Sequence, residues 1–184
     1  FGSGAAQEMH RRWFESHLDK FNLNYKNRSD EFHGLSIAGP NSRKVLEKIV
    51  RDDVSNEKFK FRDSRRMFVG GVPAIINRIS FTGELGYEIY VAPHYQLKLY
   101  EELMEAGKEF NIKPFGGRAL MSMRLEKNWG AWTLDYRPDF TAKETGLDAF
   151  INWDKEFVGK ESAQKENSSN KLIPLIVETN DIDV

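Results

Sequence analysis

Apolar and polar positions along this chain fall into blocks whose period switches between helical and extended. From about Ala5 to Leu18, the residues Ala6, Met9, Trp13, Phe14 and His17 recur at helical spacing, with Glu8, Arg11, Arg12 and Glu15 elsewhere on the wheel. This predicts an amphipathic helix. His33 to Ala38 reads as a short strand. Gly39-Pro40-Asn41-Ser42 then opens a second helix, with Pro in its first turn and Val45, Leu46, Ile49 and Val50 as its buried stripe. A charged stretch from Arg51 to Arg66 reads as a connection. A hairpin follows, with strands near Val72 to Phe81 and Gly86 to Val91 and a turn at Gly83 to Gly86.

A third helix is expected from about Tyr95 to Phe110, and a fourth from about Phe115 to Lys127. The fourth is apolar on most sides (Ala119, Leu120, Met121, Met123, Leu125), which predicts deep burial and makes Arg118 and Arg124 conspicuous. Residues 132–157 look irregular. The run 165–171 is a polar linker, and Leu172 to Val177 reads as the first strand of another module. No later strand is left to pair with it, and an isolated strand leaves its backbone hydrogen bonds unmade. The order of elements predicts an α+β fold, an antiparallel sheet with helices on one face, cut at both ends. The expected division is 1–164 for one partial domain and 165–184 for a linker and the start of a C-terminal β-barrel module.

Composition narrows the function classes. At 184 residues, one substantial core or two small ones can form. Twenty-seven Lys and Arg against 28 Asp and Glu leave a net charge of −1, without the basic excess that a nucleic-acid binder carries. No apolar run approaches the length of a membrane span. The absence of cysteine excludes disulfides and thiolate chemistry, and fits a reducing compartment such as the cytoplasm, or the mitochondrial matrix in a eukaryote. The four histidines form no metal-ligand grouping. A phosphate loop at Gly2-Ser3-Gly4-Ala5-Ala6 lacks the third glycine and the downstream acid that such a loop needs.

The segment Arg78-Ile79-Ser80-Phe81-Thr82-Gly83-Glu84-Leu85-Gly86-Tyr87-Glu88-Ile89-Tyr90 holds the strongest candidate chemistry. In a hairpin turning at 83–86, Phe81 and Glu88 become cross-strand neighbours. A carboxylate beside an aromatic can bind a flat heterocycle that offers two adjacent N–H donors, the ring packing on the aromatic. A pterin presents such an edge. The plainer reading makes Glu84 a solvated turn residue and Glu88 the outer side of an edge strand. Arg118 either orients Glu88, meets a ligand's carbonyl or carboxylate, or makes a structural salt bridge. Arg124 and Glu126 tie their helix to nearby backbone. Trp129 and Trp132 either line a pocket or belong to the core.

These segments, with Ile37-Ala38-Gly39-Pro40-Asn41-Ser42-Arg43 and Gly117-Arg118 through Lys127, resemble the glycine cleavage T-protein superfamily. The resemblance is strongest to the folate-binding part of dimethylglycine and sarcosine dehydrogenases, and it covers nearly the whole chain. It implies ferredoxin-like folate-binding subdomains and a tetrahydrofolate site holding Phe81, Leu85, Glu88, Arg118 and Trp129, where the family often has tyrosine at the position of Phe81. It also implies capture of the carbon of an N-methyl amine, dimethylglycine or sarcosine, as methylenetetrahydrofolate. The family's folate-positioning aspartate is expected before Phe1, so no catalytic residue is assigned and the chain alone is expected to be inactive. FAD is expected only in a segment further upstream, and self-association through truncated edges is expected. A stand-alone T-protein, a folate-dependent demethylase and a non-catalytic regulatory homologue are the alternatives.

Overall fold

A computed structural model describes residues 4–20 and 22–178; the Gly2-Ser3 part of the opening segment lies outside them. The chain divides into two compact units, one ending at Leu120 and the other beginning at Met121. In the first unit, a single 3-10 turn (Gly4–Ala6) leads into α1 (Gln7–Leu18), as the periodicity predicts. Then come β1 (His33–Ala38), α2 (Ser42–Ile49), β2 (Ser64–Val69), β3 (Val72–Asn77), β4 (Gly86–Val91) and α3 (Gln96–Gly107). Pro40 lies just before α2 instead of in its first turn, because Asn41 is the N-cap.

The four strands form one antiparallel sheet in the order β1-β4-β3-β2. Side chains alternate across a strand, so one face gathers Ile37, Met67, Val69, Val72, Ala74, Ile76, Tyr87, Ile89 and Val91. Val45 and Leu46 of α2 and Leu99, Leu103 and Ala106 of α3 close over that face in a single core. The α+β arrangement with helices on one sheet face is therefore present.

Two features depart from the sequence reading. The charged stretch contains a strand: Arg65 and Arg66 disguise β2, but Met67 and Val69 alternate into the core. The tight hairpin is β2–β3, turning at Gly70-Gly71, whose φ angles of 57° and 80° suit the two-residue turn that matches strand twist. In the expected hairpin, β3 stops at Asn77, and the eight residues 78–85 form a loop before β4. Glu88 stands opposite Asn77 and Ser36, and has no cross-strand pairing with Phe81.

Tyr87 is fully buried and stacks on Phe59, ring centroids 5.8 Å apart, yet its hydroxyl makes no hydrogen bond among the described residues. A buried hydroxyl without a partner costs about 1–3 kcal/mol, so Tyr87→Phe is expected to raise stability by about 1 kcal/mol. Urea unfolding checks this through the midpoint, which should rise. A lower midpoint would show that the hydroxyl is satisfied.

The second unit contains the end of α4 (Gly117–Glu126), α5 (Lys160–Gln164) and long irregular segments. The expected burial of α4 does not occur: among its residues only Arg124 is buried, while Arg118, Ala119 and Leu125 are exposed. Its apolar residues are spread around the helix, so no single packed face can cover them. Arg124 itself is well satisfied. It donates to the Trp129 carbonyl and to Asp135 Oδ2, both at 2.8 Å, and that same oxygen accepts from the Ala131 amide. A charge this deeply buried requires such partners.

Leu172 to Val177 form no strand, and Leu175 and Ile176 are exposed. The start of this run is instead tied back to a turn. The Glu144 carboxylate accepts from Ser168 Oγ (2.6 Å), Asn170 Nδ2 (3.2 Å) and the Thr141 amide (2.9 Å), while the Glu144 carbonyl accepts from the Leu172 amide (2.7 Å). The Ser168 bond above all holds the Glu144 carboxyl at a pKa of about 2.

Candidate functional site

Among the described residues β1 has one partner strand, β4, and a cleft of about 670 Å³ opens along β1. Such a volume lies within the roughly 300–1,000 Å³ that encloses a drug-sized ligand. Its walls are β1, the turn 39–42, the Tyr100, Leu103 and Met104 face of α3 and the segment 110–115 after it. The lining is mostly apolar, with Glu88 its one acid and Lys113 its one base among the described residues.

Glu88 reaches the cleft because of strand alternation. Tyr87 and Ile89 turn into the helical core, so Glu88 and Tyr90 share the opposite face. Tyr90 Oη donates to Glu88 Oε2 at 2.8 Å. Partial burial, and then this bond to a carboxylate, push the Tyr90 hydroxyl well above the usual tyrosine range, so at neutral pH it remains a donor. It fixes the Glu88 carboxylate and leaves Oε1 without a hydrogen bond among the described residues. Sequence reasoning missed Tyr90, although the two-residue spacing in Glu88-Ile89-Tyr90 carries the signal.

Phe81 lines the same cleft and is partly exposed. Phe81 and Glu88 therefore do come together, through a loop and not through a ladder. The loop is pinned beneath Phe81 by two buried hydroxyls: Ser80 Oγ and Thr82 Oγ1 lie 2.7 Å apart, the Thr82 amide donates to Ser80 Oγ, and the Glu84 amide to Thr82 Oγ1. Its start is held from the other side. The Arg78 guanidinium donates to the Phe59 carbonyl and to Asn56 Oδ1, which also accepts from Arg43.

Leu85 does not line the cleft. Its carbonyl accepts from the Gly39 amide (2.8 Å) and from Ser42 Oγ (3.0 Å), which joins the Phe81 loop to the turn that forms one wall. Arg118 is exposed, makes no ion pair among the described residues and is absent from the lining, whereas Leu120, two residues further along α4, is part of it. Trp129 belongs to the second unit, where its backbone is fastened to Arg124 at both N–H and C=O. The aromatic and aliphatic wall from α3 to Phe115 also escaped sequence reasoning. Its residues lie on the face of α3 opposite the charged one and on the segment that follows α3, where Asn111, with a φ of 56°, closes the 3-10 turn Lys108–Phe110.

The family model described as the GCVT N-terminal domain matches residues 1–155. The chain belongs to this family. Among curated proteins, the GCVT chain is similar to mitochondrial dimethylglycine dehydrogenase of Homo sapiens, with 36% identity over 98% of this chain and 22% of the relative. It is also similar to the aminomethyltransferase of Thermoanaerobacter pseudethanolicus, with 31% identity over 84% of this chain and 42% of the relative. A third relative is the sarcosine oxidase subunit alpha of Corynebacterium sp. (strain P-1), with 31% identity over 91% of this chain and 18% of that subunit. These relatives are enzymes. The GCVT chain spans about a fifth of the length of the dimethylglycine dehydrogenase it matches.

Proposed function

We propose that this chain is the tetrahydrofolate-binding part of an enzyme that captures the methyl-derived carbon of an N-methyl amine, dimethylglycine or sarcosine, as methylenetetrahydrofolate. The observation that carries the reading is the cleft in which Glu88, oriented by Tyr90, sits with the exposed ring of Phe81. The two carboxylate oxygens match the adjacent N–H donors of a pterin edge, and the Phe81 ring packs on the bicycle. Phenylalanine supplies that packing without a hydroxyl.

Tetrahydrofolate would supply the nucleophilic amine that takes up the carbon. The chain's own contribution is to hold the pterin in register, to exclude water with the apolar wall from Tyr100 to Phe115, and to keep the amine aimed at the incoming carbon. The similarity to dimethylglycine dehydrogenase along 98% of the chain favours a parent in which a flavin-bearing segment generates the iminium. The similarity to aminomethyltransferase supports a second reading, a stand-alone aminomethyltransferase of the T-protein kind. Arg118 and Trp129 are secondary candidates for contacts to the folate.

Incubating the full-length protein with dimethylglycine and tetrahydrofolate tests this proposal. Methylenetetrahydrofolate should accumulate in step with amine consumption, whereas release of all the carbon as free formaldehyde with folate present would contradict it.

A further inference from the structure

Tyr90, which orients Glu88, is itself seated by a residue that has no side chain. In the antiparallel pairing of β1 with β4, Gly34 stands directly opposite Tyr90, and Ser36 directly opposite Glu88. On its other side Tyr90 faces Ile75 of β3. A side chain is thus present on one flank of Tyr90 and absent on the other. The ring takes the vacant flank: a methyl group at position 34 would lie 2.9 Å from Tyr90 Cε1, 3.1 Å from Cδ1 and 3.6 Å from Cζ. The nearest of these is closer than a Cβ atom tolerates, so the ring edge fills the space that any other residue at 34 would take. Glycine weakens a strand, and inside one it marks a place where another group comes close. An aromatic ring laid over a glycine of the neighbouring strand is one such arrangement. From this seat the Tyr90 hydroxyl reaches back two residues along β4 and donates to Glu88 Oε2 at 2.8 Å. Neither Gly34 nor Tyr90 lines the cleft.

We infer that Gly34 is a positioning residue for ligand binding: its missing side chain seats the Tyr90 ring where the hydroxyl can hold the Glu88 carboxylate for the cleft. This rests on the folate reading of the cleft, in which that carboxylate receives the pterin edge. A methyl group at 34 need not break the sheet. Gly34 is exposed and Tyr90 half-buried, on the sheet face away from the helical core, so the ring can swing outward. Relieving the contact to an ordinary carbon–carbon separation of about 3.5–4.0 Å moves the ring edge by about 0.5–1 Å. The hydroxyl is carried on the same rigid ring and moves with it. A displacement of that size takes the 2.8 Å bond past the roughly 3.0 Å at which O–H···O bonds weaken away. The Glu88 carboxylate is then free to turn, and fixing it falls to the ligand at the moment of binding, which lowers affinity. Gly34 acts in this way through Tyr90 and Glu88, without touching the ligand.

The test is calorimetric titration of the full-length protein with tetrahydrofolate, comparing Gly34→Ala, Tyr90→Phe, the two combined, and Glu88→Gln, with urea unfolding of each. Tyr90→Phe keeps the ring and removes the donor, and is expected to weaken binding about three- to tenfold, less than the loss of a bond to the ligand itself. Gly34→Ala is expected to weaken binding about threefold, with an unfolding midpoint at or above that of the parent, because alanine suits a strand better than glycine. The combined variant should bind no more weakly than Tyr90→Phe alone, since a displaced ring without a hydroxyl has no bond left to break, whereas independent effects would multiply. Parent-like affinity in either single variant, with binding weakened by Glu88→Gln, would overturn the positioning role and leave the folate site standing. Losses that multiply in the combined variant would also overturn it, as would an unfolding midpoint for Gly34→Ala below the parent's, which would make its loss one of fold. If Glu88→Gln leaves binding unchanged, the folate reading fails and the positioning role fails with it.

Discussion

Glu88→Gln is expected to weaken tetrahydrofolate binding at least about tenfold more than Glu84→Gln does. The Glu88 carboxylate can accept two charge-assisted bonds from the pterin edge, each worth about 1.5–3 kcal/mol. A carboxamide keeps one acceptor and turns an N–H toward a donor. Losing one such bond already exceeds the roughly 1.4 kcal/mol that corresponds to a decade in Kd. Glu84 is exposed and outside the cleft lining, so solvent can replace its contacts. Calorimetric titration of both variants, with circular dichroism to verify folding, gives the comparison. Equal affinities would place the pterin edge elsewhere, and Arg118 and Trp129 would then be the residues to test.

Gly86→Ala is expected to damage both the fold and the site. A methyl group at position 86 would lie 2.7 Å from Ser80 Cβ, 2.8 Å from the Ile37 carbonyl oxygen and 2.9 Å from Ser80 Oγ. The carbonyl belongs to β1 and cannot retreat without loosening its pairing with β4. Ser80 is one of the two buried hydroxyls beneath Phe81. Overpacking of this kind costs about 1–3 kcal/mol. Chemical unfolding should show that loss, and tetrahydrofolate affinity should fall as the Phe81 loop shifts. Gly116→Ala is the control, since nothing lies within 4 Å of its added methyl. Equal stability for the two variants would mean that β1 and the loop yield freely.

The contrast between these two positions shows which parts of the molecule its sequence discloses. Elements with a clear period were legible. β1, α2 and α3 carry apolar alternation or stripes, and they appear close to the expected bounds, α3 ending at Gly107 with the 3-10 turn Lys108–Phe110 covering the rest of its expected length. β2 was hidden because Arg65 and Arg66 give its outer half a loop-like polarity. The better signal was Gly70-Gly71 between two valines. The candidate pair Phe81 and Glu88 was found for a partly mistaken reason. Local pattern suggested a ladder, while the real proximity comes from the Ser80–Thr82 hydroxyl pair and from the Leu85 carbonyl bonded to Gly39 and Ser42. The two Leu85 bonds join residues more than forty positions apart in the chain, and no short window of sequence contains them. Arg124 ties its helix to nearby backbone as expected, whereas Arg118 does not line the cleft. Both stand on one apolar helix, but Arg124 alone has Asp135 and a free carbonyl within reach, and burial followed the partners.

The central claim is that the cleft along β1 receives a folate with its pterin edge on Glu88. A crystal structure of the full-length protein soaked with a stable reduced folate tests it most directly. The account predicts the two pterin N–H groups at about 3 Å from the Glu88 carboxylate oxygens, with Tyr90 still bonded to that carboxylate and the bicycle against Phe81. A folate bound away from the edge of β1, or one in the cleft with Glu88 turned from the pterin, would contradict it.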